Sequence, residues 1–452
     1  MEMASSNNQE NGVFMRGWCL IKGLLANVGS KICNEARNVK KLGQEDPRRM
    51  IHSVKVGLAI ALVSLIYYFE PLYEGFGVSA MWAVMTVIVV FEFSVGATLG
   101  KGINRGIATL LGGALGVGAH RLASLSGSEI AEPILLGISV FIFAAAVSFM
   151  RFFPKLKARY DYGLLIFNLT FCLICVSGYL DDEVLDMAFT RLSTILIGGS
   201  ATVAVCIIIY PVWAGEDLHN LIADNIEKLG IFLEGFGDEY FNKSEDRNLK
   251  DIKDQLEKYK SVLNAKSTED SLVNFAHWEP RHGRFRYRHP WAQYQKISTL
   301  TRECAYRLDS LNGFLKTEIQ IPEEIQAKFE KSCKSMSKEC SKAIKILSSS
   351  IKAMTIPSAA DSHIYNAKTA ANDLTMSLGT SQWQGNILEI TPVATVASLL
   401  IEVICCTVKI EESVAELASL ANFRPSDMAG QNSDDKMQSP SIESHNFSIQ
   451  VE

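Results

Sequence analysis

The chain has 452 residues and a formal net charge of −5, with a mean hydropathy of +0.12. That hydropathy is high for a soluble protein of this length, and its uneven spread along a chain long enough for two to four domains points to two regions of different class. The ten scattered cysteines mark no disulfide framework, and the polar, basic first fifty residues read as a segment without a hydrophobic leader.

Residues 1–50 are expected to be a cytosolic N-terminal segment. Six apolar runs follow: Val56–Phe69, Val78–Phe93, Gly106–Ala119, Pro133–Met150, Tyr162–Leu180 and Leu192–Trp213. A helix needs about 20 mostly apolar residues to cross the hydrocarbon core. Three runs meet that, and three need their polar flanks to finish the crossing. The alternative, a soluble protein with a few buried helices, fits poorly with six runs joined by short loops. Residues 51–213 are therefore read as a six-span transmembrane domain. Lys and Arg crowd the segment before the first run and the loops after the second and fourth, including Lys101, Arg105, Arg151 and Lys155. Acids such as Glu74, Glu132, Asp182 and Asp186 crowd the opposite loops. Cations stay on the cytosolic side, which puts both termini there. Gly96/Gly100 and Gly112/Gly116 are GxxxG pairs, the sign of closely packed helices.

After Trp213 the pattern turns amphipathic. Leu218, Ile222, Leu229, Phe232 and Phe236 recur at three- to four-residue spacing. Further helices are expected over 291–320, 323–354, 361–379 and 387–421, so residues 214–424 read as a cytosolic helical bundle. Residues 425–452 are Ser-, Asp- and Gln-rich without periodicity and read as a disordered tail. The whole is all-α.

Lys101 and Arg105 stand four residues apart in a greasy stretch. On a helix they share a face, where like charges repel. Facing lipid at mid-membrane, each would cost about 2.5–3.5 kcal/mol on insertion scales. They therefore face water, a partner acid such as Glu92, or a passing anion; the plainer alternative is a topology signal flanking a span. Arg191 opens the last run on the side where cations are scarce, and either draws anions from that side or pairs with an acid such as Asp186. Arg151 adds inner-face charge, as topology signal, lipid contact or part of an anion route. Asp182 and Asp186 are four apart, with Glu74 in another outer loop. Such oxygens suit a hard cation, and equally suit a helix N-terminus.

No metalloprotease, Walker, nucleophile-elbow or calcium-loop motif occurs, and no enzyme activity is expected. Cys172 and Cys175 lie one turn apart in an apolar run, a spacing that helix geometry alone accounts for. In "WEPRHGRFRYRHPWAQY", Arg284, Arg286 and Arg288 alternate with Phe285 and Tyr287, which in an extended segment separates cations from rings. Nucleic-acid binding is one reading of that mixture, set aside because the surrounding region is acidic and membrane-tethered. A structural loop near the inner mouth, built on Trp278, Glu279 and Pro280, is the favoured reading.

"EDPRR", "AMWAVMTVIVVFEFSVGATLGKGINRG", "WEPRHGRFRYRHPW" and "PVWAGEDLH" together resemble the plant aluminium-activated malate transporter family, nearest the shorter root-type members, over nearly the whole chain to about residue 424. The resemblance implies a homodimeric anion channel for malate and inorganic anions, six spans and a helical cytosolic domain per subunit, and lipid surroundings. It implies that Lys101, Arg105 and Arg191 line the permeation path. It adds Al³⁺ as a regulatory ion, with Asp182, Asp186 and Glu74 as the expected site, and no cofactor. The expected location is the plasma membrane, with the vacuolar membrane as the alternative. Two rival functions stay open: an organic-acid exporter working by alternating access, and a membrane-anchored interaction protein.

Overall fold

The computed structural model of the chain describes residues 31–68, 81–177, 184–241, 256–286, 289–316, 323–380 and 387–425, apart from positions 32, 33, 36 and 129. These residues are almost entirely helical, with two isolated bridges and no strand among them. The chain divides into two compact units, Met1–Val212 and Trp213–Glu452. The tail proposed at 425–452 lies, beyond Pro425, outside the described residues.

The first unit contains α1 (Pro47–Tyr68), α2 (Met81–Val90), α3 (Val95–Ser124), α4 (Ala131–Met150), α5 (Pro154–Ser177) and α6 (Val184–Ile208). Proline at the first helical position starts α1, and the Asp46 carboxylate accepts the Arg48 amide at 3.0 Å as its cap. Ser94, extended at φ −104° and ψ 154°, caps α3 by accepting from the Ala97 amide at 3.3 Å. The Val95 amide donates to Val212 O at 2.9 Å, tying the start of α3 to the segment after α6. Lys55 is fully buried, and its ammonium donates to Tyr210 O at 3.3 Å, at a residue with φ +45° just past the end of α6. A cation on such a terminal carbonyl is favoured by the helix dipole.

The small residues do their packing inside this unit. A Cβ at Gly112 would sit 2.8 Å from Phe167 O, and one at Gly116 would sit 3.0 Å from Ile174, so α3 and α5 meet backbone to backbone. Gly198 on α6 presses harder still on the Ala83 carbonyl of α2. Gly106 and Gly199 meet nothing within 4 Å.

The second unit contains α7 (Ala214–Phe241), α8 (Lys260–Leu263), α9 (Lys266–Ala276), α10 (Trp291–Lys316), α11 (Glu323–Ala353), α12 (Ala360–Thr380) and α13 (Ile387–Ala421). Leu218, Ile222, Leu229, Phe232 and Phe236 of α7 are buried in one core with Tyr294 and Leu308 of α10 and Met336 and Leu347 of α11. Serines on α11 lock it to α7: Ser337, Ser341 and Ser348 donate to Leu233 O, Gly230 O and Ala223 O at 2.5, 2.7 and 2.8 Å.

Among the described residues, four helical stretches are long and apolar enough to cross a membrane: Ala131–Met150, Pro154–Val176, Ala188–Ile208 and Ile390–Ala421. Met81–Val90 is a shorter apolar helix. The fourth long stretch belongs to α13, whose Val393, Val396, Leu400, Val403, Ile410 and Val414 lie in the second unit's core.

Candidate functional site

The first unit gathers its cations unevenly. Arg105, on α3, is 6% exposed. Its Nη1 donates to the Tyr162 hydroxyl of α5 at 3.0 Å, while its Nε is buried without a hydrogen-bond partner. Arg191, on α6, lays its guanidinium 3.6 Å over the ring centre of Trp82 on α2, a cation–π contact that needs no acid. Both arginines line one enclosed cavity of about 20 Å³, together with Trp82, Thr109, Thr170 and a ring of Ile and Leu side chains. The sequence assigned Arg191 and Arg105 to opposite mouths; the structure sets them on the walls of the same space, because α3 and α6 pack side by side. The volume holds roughly one water.

Lys101 goes elsewhere. Although it is four residues from Arg105, its ammonium forms an ion pair with Glu92 and lies 5.7 Å from the Tyr162 ring centre. Glu92 belongs to the break between α2 and α3, so Lys101 is answered by an acid while Arg105 meets a hydroxyl. Arg151 also has an acid: its Nε and Nη2 reach both oxygens of Asp161 at 2.7 and 3.2 Å, a bidentate clasp across the turn between α4 and α5. Sequence reasoning missed Trp82, Thr109 and Tyr162. The signal for Trp82 was weak, an aromatic in an apolar run, and the helix pairing that makes it matter is not written in local sequence.

Glu74, Asp182 and the side chain of Asp186 lie outside the described residues. Among those described, no group of three or more His, Cys, Asp or Glu is arranged to hold a metal ion.

In the second unit, Trp278, Glu279 and Pro280 lead into a tight turn. Glu279 is buried, and its two oxygens accept from the amides of Ala214 and Gly215 at 2.6 and 3.0 Å. A carboxylate there satisfies two free amides of the α7 N-terminus and meets the positive end of the helix dipole. The described part of the stretch that alternates arginines and aromatics is a turn and not an extended run. Gly283 adopts φ +47°, and His282 and Phe285 exchange backbone hydrogen bonds. Phe285 tucks against Trp291 and His289, whereas Arg284 and Arg286 stay exposed. Tyr287 and Arg288 lie outside the described residues. His282 stacks on Trp213, ring centres 3.9 Å apart. Behind it, the Tyr294 hydroxyl stands 2.9 Å from His219 Nδ1 and 3.3 Å from His289 Nε2. Burial pushes both histidines down to about 4, helped by Arg284 at His219 and by the other histidines and Arg286 at His289.

The family model described as "Aluminium activated malate transporter" matches residues 40–386. The chain is 54% identical to a protein of Arabidopsis thaliana named aluminum-activated malate transporter 2, over 87% of this chain and 79% of that protein. It is 49% identical to the one numbered 1 in the same plant, over 87% and 81%. A wheat (Triticum aestivum) protein named aluminum-activated malate transporter 1 is 44% identical, over 90% and 89%.

Proposed function

The chain belongs to the aluminium-activated malate transporter family, and from that premise we propose that it is a membrane anion channel passing malate and inorganic anions. The observation that carries this reading is the convergence of Arg105 and Arg191 on one cavity walled by otherwise apolar helices. Two guanidiniums without a carboxylate against them among the described residues leave a positive potential in a low-dielectric wall, which an anion relieves. The cavity's small volume fits a closed arrangement, so conduction requires the walls built by α2, α3, α5 and α6 to part. Lys101, paired with Glu92, and Arg151, paired with Asp161, add field at the inner face and take a lesser part.

In this reading α1–α6 span the bilayer and both termini face the cytosol, as the loop cations favour. The second unit is a cytosolic bundle. Its α13, though apolar, sits in the core and pairs Glu402 with Arg307 and Glu416 with Lys296, contacts suited to a water-bathed bundle. The protein works as a homodimer in the plasma membrane. External Al³⁺ acts at the outer loops through Asp182, Asp186 and Glu74.

The test is current recording in oocytes with malate, chloride and nitrate exchanged in the bath. Anion-dependent reversal potentials and unitary current steps are expected, and the paired change Arg105→Ala with Arg191→Ala should remove most of the current while the protein still reaches the membrane. Wild-type currents from that variant sink the pathway, and saturable flux without unitary steps turns the protein into an exporter. For Al³⁺, Asp182→Asn with Asp186→Asn should abolish activation at acidic external pH; equal activation of variant and wild type removes the site.

A further inference from the structure

The buried helical threonines of the first unit, Thr109 apart, share a habit. Thr86, Thr98, Thr194 and Thr202 are all buried, and each returns its hydroxyl to the carbonyl four residues back, at 2.7, 3.0, 2.9 and 2.7 Å. In a low-dielectric interior that is the nearest way to satisfy a hydroxyl. Thr109 breaks the habit. It is 3% exposed, its Oγ1 has no hydrogen-bond partner, and it lines the cavity shared by Arg105 and Arg191. One turn away on the same helix, Arg105 Nε is orphaned as well. Tyr162 accounts for this orphan: by accepting from Nη1 it fixes the guanidinium and leaves the Nε edge unused.

We propose that Thr109 is a specificity-determining residue of this cavity, its hydroxyl donating to an oxygen of a bound carboxylate that Arg105 Nε and Arg191 also hold. The proposal rests on the reading of the cavity as part of the anion route and says which group there tells a carboxylate from a halide. A carboxylate offers two directional acceptors and can take one hydrogen bond from Thr109 and another from Arg105. Chloride is a sphere satisfied by the arginine charges alone, and loses little when a hydroxyl becomes a methyl. Two buried donors lacking partners within one small space carry a desolvation cost that an oxygen-rich anion relieves.

Thr109→Val keeps the shape and removes the donor; Thr109→Ser keeps the donor. Currents under malate and chloride gradients should show the malate-to-chloride permeability ratio of Thr109→Val falling by about tenfold, the scale of one hydrogen bond to a charged group, with chloride current retained. Thr109→Ser should hold the wild-type ratio. An unchanged ratio in Thr109→Val, or an equal fall in both variants, overturns the proposal. If Thr109→Val passes no current, malate-induced thermal stabilisation of the purified protein decides. Wild type and Thr109→Ser should be stabilised by malate beyond chloride and Thr109→Val should not; stabilisation of all three alike overturns the assignment. Failure of the route itself looks different, since Arg105→Ala with Arg191→Ala would then leave both anion currents intact.

Discussion

Arg105 and Lys101 carry the same formal charge four residues apart, yet their surroundings give them different work. Glu92 answers Lys101, while the arginine finds a phenol and the wall of a cavity. Neutralising each in turn separates the roles: Lys101→Ala should leave permeability ratios within about twofold of wild type, since Glu92 already answers that half-buried charge, whereas Arg105→Ala should cost most of the current. Reversal potentials and current amplitudes at matched surface expression check this, and the reverse order would reassign the pathway. Glu279 is the second residue with a job that its local sequence does not announce. Glu279→Ala leaves the amides of Ala214 and Gly215 without their acceptor, at about 1–3 kcal/mol each. We expect the thermal midpoint to drop by about 5–10 °C, Glu279→Gln to lose less, and both to keep the wild-type permeability ratios. A changed ratio with an unchanged midpoint would move this loop into the pore.

Helix against helix, the glycines separate into two kinds. Gly112 and Gly116 are consumed by the contact of α3 with α5, and Gly112→Ala must push a Cβ onto the Phe167 carbonyl, so expression and melting temperature should fall. Gly106 and Gly199 have open space beside them and line a groove of about 690 Å³ between α3 and α6. Gly106→Leu should therefore leave the protomer folded. If a second copy packs along this groove, the variant should shift the mass in nanodiscs from dimer towards monomer; an unchanged dimer would put the subunit contact on another face.

Across the whole chain, pH acts through the buried histidines of the second unit. His219 and His289 are held down to about 4, below the ordinary 6.5, so between those values the unfolded chain binds more protons than the folded one. Their contribution to stability is flat above about pH 6.5 and is lost as pH drops from there towards 4. Melting at pH 7 and pH 5 should show the loss, and His289→Gln should flatten part of the slope; a midpoint that rises on acidification would contradict the burial of these rings.

Composition and periodicity alone determined that the chain is helical and that six apolar runs precede Trp213; they did not mark Ile390–Ala421 of α13 as equally apolar. They also located the helices of the second unit: α10 to α13 lie within a few residues of the stretches that the three- to four-residue spacing marked. The physical reason is that hydrocarbon thickness and helix pitch act locally, each imposing its period on neighbours in sequence. Helix α3 already strains that rule. Its apolar run begins at Gly106, yet the helix begins at Val95, because the Ser94 cap and not hydropathy decides where it starts. The site was legible only as a set of charges. Which cation meets an acid, which leans on a ring, and which meets a phenol depends on residues 57 positions away at Tyr162 and 109 positions away between Trp82 and Arg191. The Cβ-less faces of α3 and α6 set those distances, and only packing in three dimensions brings such groups within reach.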